Sequence, residues 1–136
     1  MRIFLDANIL FSAANSAGAI RQLVHDLHKD QHDLVADEYV SIEARRNVAA
    51  KSKGDAVDYL QALLTQIEVS PVQFAEMAQT LVSWLPEKDR PVLWAAMALK
   101  CDALITGDRT HFGPGYGKTF GGVTIYSPAQ LAQIIF

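Results

Sequence analysis

Two aspartates stand at the ends of an almost uninterrupted apolar run, in the stretch EKDRPVLWAAMALKCDALITGD at residues 87–108. An apolar core needs no acids, and burying a charge costs free energy, so Asp89 and Asp108 need a separate explanation. Two further acids have comparable positions: Asp6 ends the short apolar run RIFL, and Glu43 shares the inward-leaning face of a predicted helix. The four carboxylates are therefore candidates for one acidic cleft at the edge of the core.

Carboxylates held close together repel one another, and some of them become neutral unless a cation compensates the charge. Oxygen ligands suit Mg²⁺ or Mn²⁺, which bind a few carboxylates together with water and substrate phosphates. A metal of this kind can activate water and stabilise the charge that develops on a leaving oxygen. Hydrolysis of a phosphodiester is the chemistry that this set of residues favours.

Each acid also has a purely structural interpretation. Asp6 could cap the helix that follows its strand, and Asp89 could cap the buried helix that begins next to it. Asp108 could serve a Gly-Asp turn. Glu43 could form an ordinary surface pair with Arg46 at helical spacing.

Strands and helices alternate along the chain that must position these acids. Strands are predicted at residues 2–5, 33–36, 67–70, 103–106 and 123–126. Helical patterns separate them, with Gly18 as a break in the first, Asp37 as a cap, and SPAQLAQII as the terminal helix. This alternation predicts a three-layer α/β/α sandwich with a central parallel sheet. Functional groups in such sheets gather beyond the carboxyl ends of the strands, where Asp6 and Asp108 are predicted to lie.

Length and composition favour one domain over residues 1–136, because half of the residues are hydrophobic and can bury a sizeable core. The single cysteine, Cys101, cannot form an internal disulfide, and MRIFLDAN reaches an acid too soon for a signal peptide or a membrane span. We expect a cytoplasmic protein without a membrane partner. A formal net charge of -3 means that any contact with nucleic acid must depend on a local basic patch.

The stretch EARRNVAAKSKGD concentrates Arg45, Arg46, Lys51 and Lys53 in an otherwise acidic chain. One interpretation is a solvated helix face followed by a turn. The other is an edge that contacts RNA phosphates near Glu43. Just after the last acid, Arg109 and His111 could touch the substrate or belong to a surface turn.

The glycine-rich segment HFGPGYGKTFGG at residues 111–122 could suggest a phosphate-binding loop. It lacks the GxxxxGK[ST] spacing and no helix start follows it, which argues against a nucleotide-cradling role. His25, His28 and His32 lack the companion cysteines of a zinc site.

Four motifs follow one another in order: FLDANIL at residues 4–10, YVSIEARRNV at 39–48, EKDRPVLWAAMALKCDALITGDRTHF at 87–112, and the closing VTIYSPAQLAQII. Together they resemble the PIN domains, and especially the small bacterial and archaeal PIN proteins that include the VapC-type toxins. The resemblance runs nearly end to end.

This resemblance implies a metal-dependent ribonuclease whose acids correspond to Asp6, Glu43, Asp89 and Asp108. It implies Asp6 and Asp89 as the principal metal ligands, with Asp108 and Glu43 completing the acidic pocket. Asn8 and Thr106 match supporting polar positions. An RNA substrate, a homodimer and an antitoxin partner are further expectations from the resemblance.

Two other functions stay open. A PIN-like module could bind RNA or a protein without cleaving. A metal-dependent phosphatase acting on a small phosphoester is the other, although this chain has DAN after its first strand where such enzymes have DxD.

Overall fold

The computed structural model describes residues 1–73 and 79–136. The strands of these residues are β1 (Arg2–Leu5), β2 (Asp33–Asp37), β3 (Glu68–Ser70), β4 (Ala103–Ile105), β5 (Thr119–Phe120) and β6 (Val123–Tyr126). The helices are α1 (Ala7–Asn15), α2 (Ala19–Lys29), α3 (Glu38–Lys51), α4 (Ala56–Gln66), α5 (Gln79–Val82), α6 (Arg90–Ala98) and α7 (Pro128–Ile135). The five predicted strands and the break at Gly18 are confirmed. The helix predicted between β3 and α6 lies partly outside the described residues.

In the described part of the chain the strands form one sheet with the order β3-β2-β1-β4-β6-β5, flanked by helices in a three-layer α/β/α sandwich. All neighbours pair in parallel except β5, which runs antiparallel to β6. The predicted central parallel sheet is therefore confirmed, and the antiparallel pair belongs to β5, a short edge strand that the sequence did not predict. Phe120 pairs with Val123 across Gly121 and Gly122, which both have positive φ angles of 55° and 85°. Such a two-residue turn needs exactly the freedom that glycine has, so the glycine pair closes a hairpin.

The core lies on both faces of the central strands. Ile3, Phe4 and Leu5 of β1 are completely buried, as are Leu104 and Ile105 of β4. A strand buried on both faces reads as a continuous apolar run rather than an alternating one, which is why RIFL and ALI predicted interior parallel strands.

Helix α6 contains most of the apolar run between the two aspartates of the opening motif. Its buried side chains include Val92, Leu93 and Trp94, and the helix contacts both β4 and β6. The run therefore packs against the sheet. None of the helices in the described residues combines the length and apolar character of a membrane span.

Strand order reverses between β1 and β4. In the sheet, β2 and then β3 lie beyond β1 on one side, and β6 and then β5 lie beyond β4 on the other. The two central strands pair in register, with Ile3 opposite Ala103 and Leu5 opposite Ile105. A crevice forms beyond the carboxyl ends of such a pair, so Asp6 and Thr106, the residues that follow the two strands, lie at its base.

Candidate acidic active site

Asp6 is the most deeply buried acid of the crevice, with only 5% of its surface exposed. One carboxylate oxygen caps α1 by accepting a hydrogen bond from the Ala7 N–H at 2.8 Å. The other accepts from the Thr106 hydroxyl at 2.8 Å and from Asn8 Nδ2 at 3.1 Å. The capping role considered for Asp6 is therefore real, and the second oxygen has a separate role in a polar network.

Burial raises the pKa of Asp6 from 3.8 to about 6. Hydrogen bonds from Thr106 and Ala7 lower that pKa, whereas the nearby charges of Glu43 and Asp89 raise it further. The carboxylate thus carries an incompletely compensated negative charge near neutral pH.

The supporting polar residues predicted from the motifs join the ends of β1 and β4. Asn8 accepts a hydrogen bond from the Gly107 N–H at 2.8 Å, and its Nδ2 lies 3.2 Å from Thr106 Oγ1. Thr106 is completely buried, and its hydroxyl also accepts from the Asp108 N–H at 3.2 Å. A Cβ at Gly107 would lie 3.3 Å from Asn8 Oδ1, so glycine permits this close approach. The network fixes the backbone that leads into Asp108.

Asp89 and Asp108 converge on His111. The His111 Nδ1 atom lies 2.9 Å from one oxygen of Asp89 and 3.0 Å from one oxygen of Asp108. One ligand atom from each of the three residues can be chosen so that all lie within 4.8 Å of one another. Asp108 also accepts a hydrogen bond from the His111 N–H at 3.1 Å, so its other oxygen does serve the turn.

Asp89 stands at the N-cap position of α6, but its side chain makes no capping hydrogen bond. The capping interpretation therefore does not explain this acid. Its Oδ2 atom and His111 Nδ1 are buried, and within the described residues neither has a hydrogen-bond partner with suitable angles despite their short separation. Burial raises the pKa of Asp89, although the charges of His111 and Lys88 partly offset that rise.

A cleft of about 100 Å³ brings the four predicted acids together. Its lining consists of Asp6, Ala7, Asn8, Glu43, Asn47, Lys88, Asp89 and Asp108. Glu43 is exposed and, within residues 1–73 and 79–136, forms no hydrogen bond or ion pair. The surface pair with Arg46 that the sequence allowed is absent there. The three aspartates come from the ends of β1 and β4 and the start of α6, and Glu43 comes from α3.

A larger cavity of about 520 Å³ lies at the opposite edge of the sheet, where β1 and β2 begin. Its lining includes Arg2, His28, Asp33 and Glu68, and Arg2 and Glu68 form an ion pair at 2.6 Å. Mixed, mutually paired charges need no external compensation. The smaller acidic cleft is the better candidate for chemistry because four carboxylates outnumber its single lysine, Lys88, and because the pKa values of Asp6 and Asp89 are raised.

A family model described as PIN domain matches residues 2–110. The chain belongs to the PIN domain family. The resemblance inferred from the motifs is therefore confirmed. A comparison with curated protein sequences gives no match.

Solved structures of PIN toxins share the fold of this PIN domain. VapBC2 from Rickettsia felis, bound to a DNA fragment from its promoter, matches with a TM-score of 0.68 at 16% identity, covering 93% of this chain and 98% of that one. FitAcB from Neisseria gonorrhoeae matches with a TM-score of 0.67 at 16% identity, and the match covers 93% of this chain and 98% of that one. VapC20 from Mycobacterium tuberculosis, a Sarcin-Ricin loop cleaving toxin, matches with a TM-score of 0.61 at 13% identity. The match covers 87% of this chain and 98% of that one. At these identities the likeness supports the fold.

The residues of this PIN domain fit a divalent cation. Asp89 lines a cleft shared with the other acids. Among the described residues its buried Oδ2 has no hydrogen-bond partner of suitable geometry, and a cation in the cleft would satisfy it. Carboxylate oxygens suit Mg²⁺ and Mn²⁺, and the imidazole of His111 adds a softer donor beside them.

The sequence motifs did not identify His111 as a possible metal ligand or Lys88 as a residue that lines the cleft. His111 follows Asp108 by three residues in TGDRTH, and that spacing is the signal that could have indicated a shared site. Lys88 carries no such signal beyond its place next to Asp89. The candidate RNA contacts are all exposed but lie outside the acidic cleft: Arg45, Arg46, Lys51, Lys53 and Arg109.

Proposed function

We propose that this PIN domain is a divalent-metal-dependent endoribonuclease that hydrolyses RNA phosphodiester bonds. The observation that carries the proposal is the convergence of four carboxylates in one cleft at the reversal of strand order. Carboxylates clustered in this way repel one another, and a bound cation would relieve that repulsion. Mg²⁺ or Mn²⁺ fits the carboxylate donors.

Asp6, Asp89 and Asp108 are the residues that would hold the cation. When bound, it would lower the pKa of a water molecule and stabilise negative charge on the leaving oxygen. Asn8 and Thr106 hold the Asp6 carboxylate in place through the bonds described above.

Glu43 has a different part in this proposal. It is more exposed than the three aspartates and has no partner among the described residues, so its carboxylate is free to accept a proton from an attacking water. Its position on α3 keeps it separate from the network that fixes Asp6.

The similar structures support RNA as the substrate and a toxin role. VapC20 is described as a toxin that cleaves the Sarcin-Ricin loop, and VapBC2 is a pair of proteins solved with promoter DNA. By analogy, we extend the proposal to a single-domain cytoplasmic toxin that forms a homodimer and binds an antitoxin. The exposed cations at Arg45, Arg46, Lys51, Lys53 and Arg109 would contact RNA phosphates.

Cleavage of single-stranded and structured RNA by purified protein in Mg²⁺, Mn²⁺ or EDTA tests the proposal. Asp6→Asn and Asp89→Asn should each abolish metal-dependent cutting while remaining folded. Asp58→Asn is the matched control, because Asp58 is an exposed acid of α4 outside the cleft, and it should cut at the wild-type rate.

Other outcomes identify the alternatives. Binding of RNA without cutting in any metal, by protein that binds Mn²⁺, would indicate a catalytically silent module. Hydrolysis of a small aryl phosphate without RNA cleavage would indicate a phosphatase. Equal cutting by wild type and both cleft variants would mean that the four acids are not the site.

A further inference from the structure

A second cavity adjoins the acidic cleft on the outer side of α3. It has a volume of about 190 Å³ and is lined by Tyr39, Ile42, Glu43 and Arg46. These residues are spaced by three, one and three positions, so they form one stripe along the helix. Glu43 lines this cavity and the acidic cleft as well, and its side chain is the wall between them.

An exposed isoleucine stands in the middle of this stripe. Ile42 has 53% of its surface exposed, although it lies between an aromatic ring and a guanidinium group. A single exposed apolar side chain is ordinary on a protein surface. This one differs because it contributes to a concave site next to a cluster of acids.

The other side chains of the cavity are available for a ligand. Tyr39 is half-buried, and its hydroxyl donates to the Lys88 carbonyl at 2.6 Å, which holds the ring in one place. Arg46 is exposed and forms no ion pair in the described part of the chain. A fixed aromatic ring, an aliphatic side chain and a free guanidinium are the groups with which proteins stack unpaired bases.

We propose that this cavity binds the base of a nucleotide adjacent to the scissile phosphate. The inference rests on the proposed ribonuclease function, because continuity with the acidic cleft through Glu43 is what places a nucleotide there. The cavity is smaller than the roughly 300–1,000 Å³ of pockets that enclose whole small molecules, and it therefore suits one ring system. The base lies against Tyr39 and Ile42, and Arg46 meets the neighbouring phosphate.

This assignment defines the substrate class more narrowly than RNA in general. A base can enter a side cavity only after it leaves the helical stack, which costs free energy in a duplex and little in a loop or a single strand. The site therefore selects unpaired RNA, and it tolerates different bases because every base has a stacking face.

A cycle that removes the side chain and the base separately tests the inference. The substrates are an unstructured RNA with one mapped cleavage site and a series of the same RNA in which one nucleotide next to that site lacks its base. Wild-type protein and Ile42→Ser are assayed for kcat/KM on each RNA. We expect Ile42→Ser to lower kcat/KM about tenfold on intact RNA, and one abasic position to lower it about tenfold for the wild type. The two changes together should cost no more than either alone.

Ile134→Ser is the matched control. Ile134 is an isoleucine of α7 with 57% of its surface exposed, and it lines neither cavity. This variant should match the wild type on every RNA.

The possible failures are distinct. If wild-type protein cuts no RNA, the ribonuclease proposal fails and this inference fails with it. If wild-type protein cuts but Ile42→Ser lowers kcat/KM equally on intact and on every abasic RNA, or leaves it unchanged, only the base site is overturned. A change in oligomeric state of Ile42→Ser during gel filtration would also overturn it and would assign the surface to contact between two copies of the chain.

Discussion

The side chain of Asp6 has two roles, one structural and one electrostatic. As a helix cap it stabilises α1, and as a buried carboxylate with a pKa near 6 it carries a charge that its surroundings do not fully compensate. The folded protein therefore loses stability by keeping this residue ionised. A cost of this kind is common where a binding site must be ready for a cation before the cation arrives.

With divalent cations removed by EDTA, we expect the wild-type protein to lose stability relative to Asp6→Asn as pH rises from about 4 to above 6. The carboxyl group of Asp6 has a pKa near the ordinary 3.8 in the unfolded chain and about 6 in the folded protein, so the folded state binds more protons in this window. The free energy of unfolding then falls with pH, by about 3 kcal/mol for a shift of roughly two pKa units. Urea unfolding at a series of pH values measures the difference.

Asp6→Asn lowers the free energy of unfolding for a separate reason. The amide NH₂ group at position 6 would face another donor, either Asn8 Nδ2 or the Ala7 N–H. That cost does not depend on pH, so the comparison uses the slopes of the two profiles. Saturating Mn²⁺ at pH 8 should raise the stability of the wild type and not that of the variant. Parallel profiles in EDTA would contradict the raised pKa of Asp6.

At the scale of single residues, sequence motifs predicted the four acids of the cleft together with Asn8 and Thr106. They did so because strand ends and helix starts place a residue within one or two positions of the sheet edge. His111 was not placed in this way, because it lies in the turn after Asp108, where local hydrogen bonds fix the backbone, and not at a strand end or a helix start. For the basic residues, the sequence showed that they cluster along the chain, but it did not show whether they line a cleft.

At the scale of elements, a hydrogen bond across the site joins α3 to the segment that leads into α6. The Tyr39 hydroxyl donates to the carbonyl of Lys88, the residue before Asp89. Asp89 has no capping bond of its own, so the direction of its carboxylate depends on the backbone that carries it. Tyr39 is in this sense a positioning residue for Asp89.

Tyr39→Phe should weaken Mn²⁺ binding several-fold while lowering the free energy of unfolding by only about 1 kcal/mol, the usual loss for one hydrogen bond. Electron paramagnetic resonance of free Mn²⁺ during a titration measures the affinity, and urea unfolding measures the stability. Tyr59→Phe is the matched control, because the Tyr59 hydroxyl has no hydrogen bond in the described part of the chain. Unchanged affinity in Tyr39→Phe would show that Asp89 is oriented without this link.

The glycine-rich segment is a packed element of the structure. A Cβ at Gly115 would lie 2.5 Å from the Trp84 ring and 3.1 Å from Ile125 Cδ1. Trp84 cannot easily yield, because it stacks on Phe120 at 5.0 Å and meets Phe112 edge-on at 6.3 Å. Close packing of this loop against Trp84 and Ile125 therefore explains the glycine at position 115.

Gly115→Ala should destabilise the protein by about 1–3 kcal/mol, since added volume in a filled site forces its neighbours to move. Gly113→Ala is the control in the same turn, because a Cβ there would meet Arg109 at an ordinary 3.9 Å. Its effect should stay within about 0.5 kcal/mol. Thermal unfolding of the two variants checks the pair, and equal losses would mean that glycine flexibility matters here more than packing.

The fold was predictable from the sequence to the extent that periodicity defines each element. Apolar runs gave the five parallel strands, and the caps at Asp37 and Ser127 gave helix starts. The pair Gly121 and Gly122 was a hairpin signal, but β5 has only two residues and no pattern of its own. Its pairing with β6 is created by the turn, which is why the alternation of strands and helices predicted the central parallel sheet but not this antiparallel edge strand.

At the scale of the whole molecule, a net charge of -3 opposes binding to a polyanion. The acidic cleft adds to this repulsion until a cation occupies it. In the proposed function, affinity for RNA would therefore come from cationic side chains placed near the cleft.

Two double variants with the same net charge can show whether RNA binding depends on where the cationic side chains lie or only on how many there are. In an Asp89→Asn background that prevents cutting, Arg45→Gln with Lys51→Gln should weaken binding to single-stranded RNA and reduce the salt dependence. Each lost phosphate contact lowers the slope of log K against log salt by about 0.7. Lys29→Gln with Lys100→Gln removes the same charge from exposed residues at the ends of α2 and α6. Fluorescence anisotropy at several salt concentrations should give a reduced slope for the first pair alone. Equal slopes for both pairs would mean that net charge governs RNA binding, because only a local patch distinguishes two variants of identical charge.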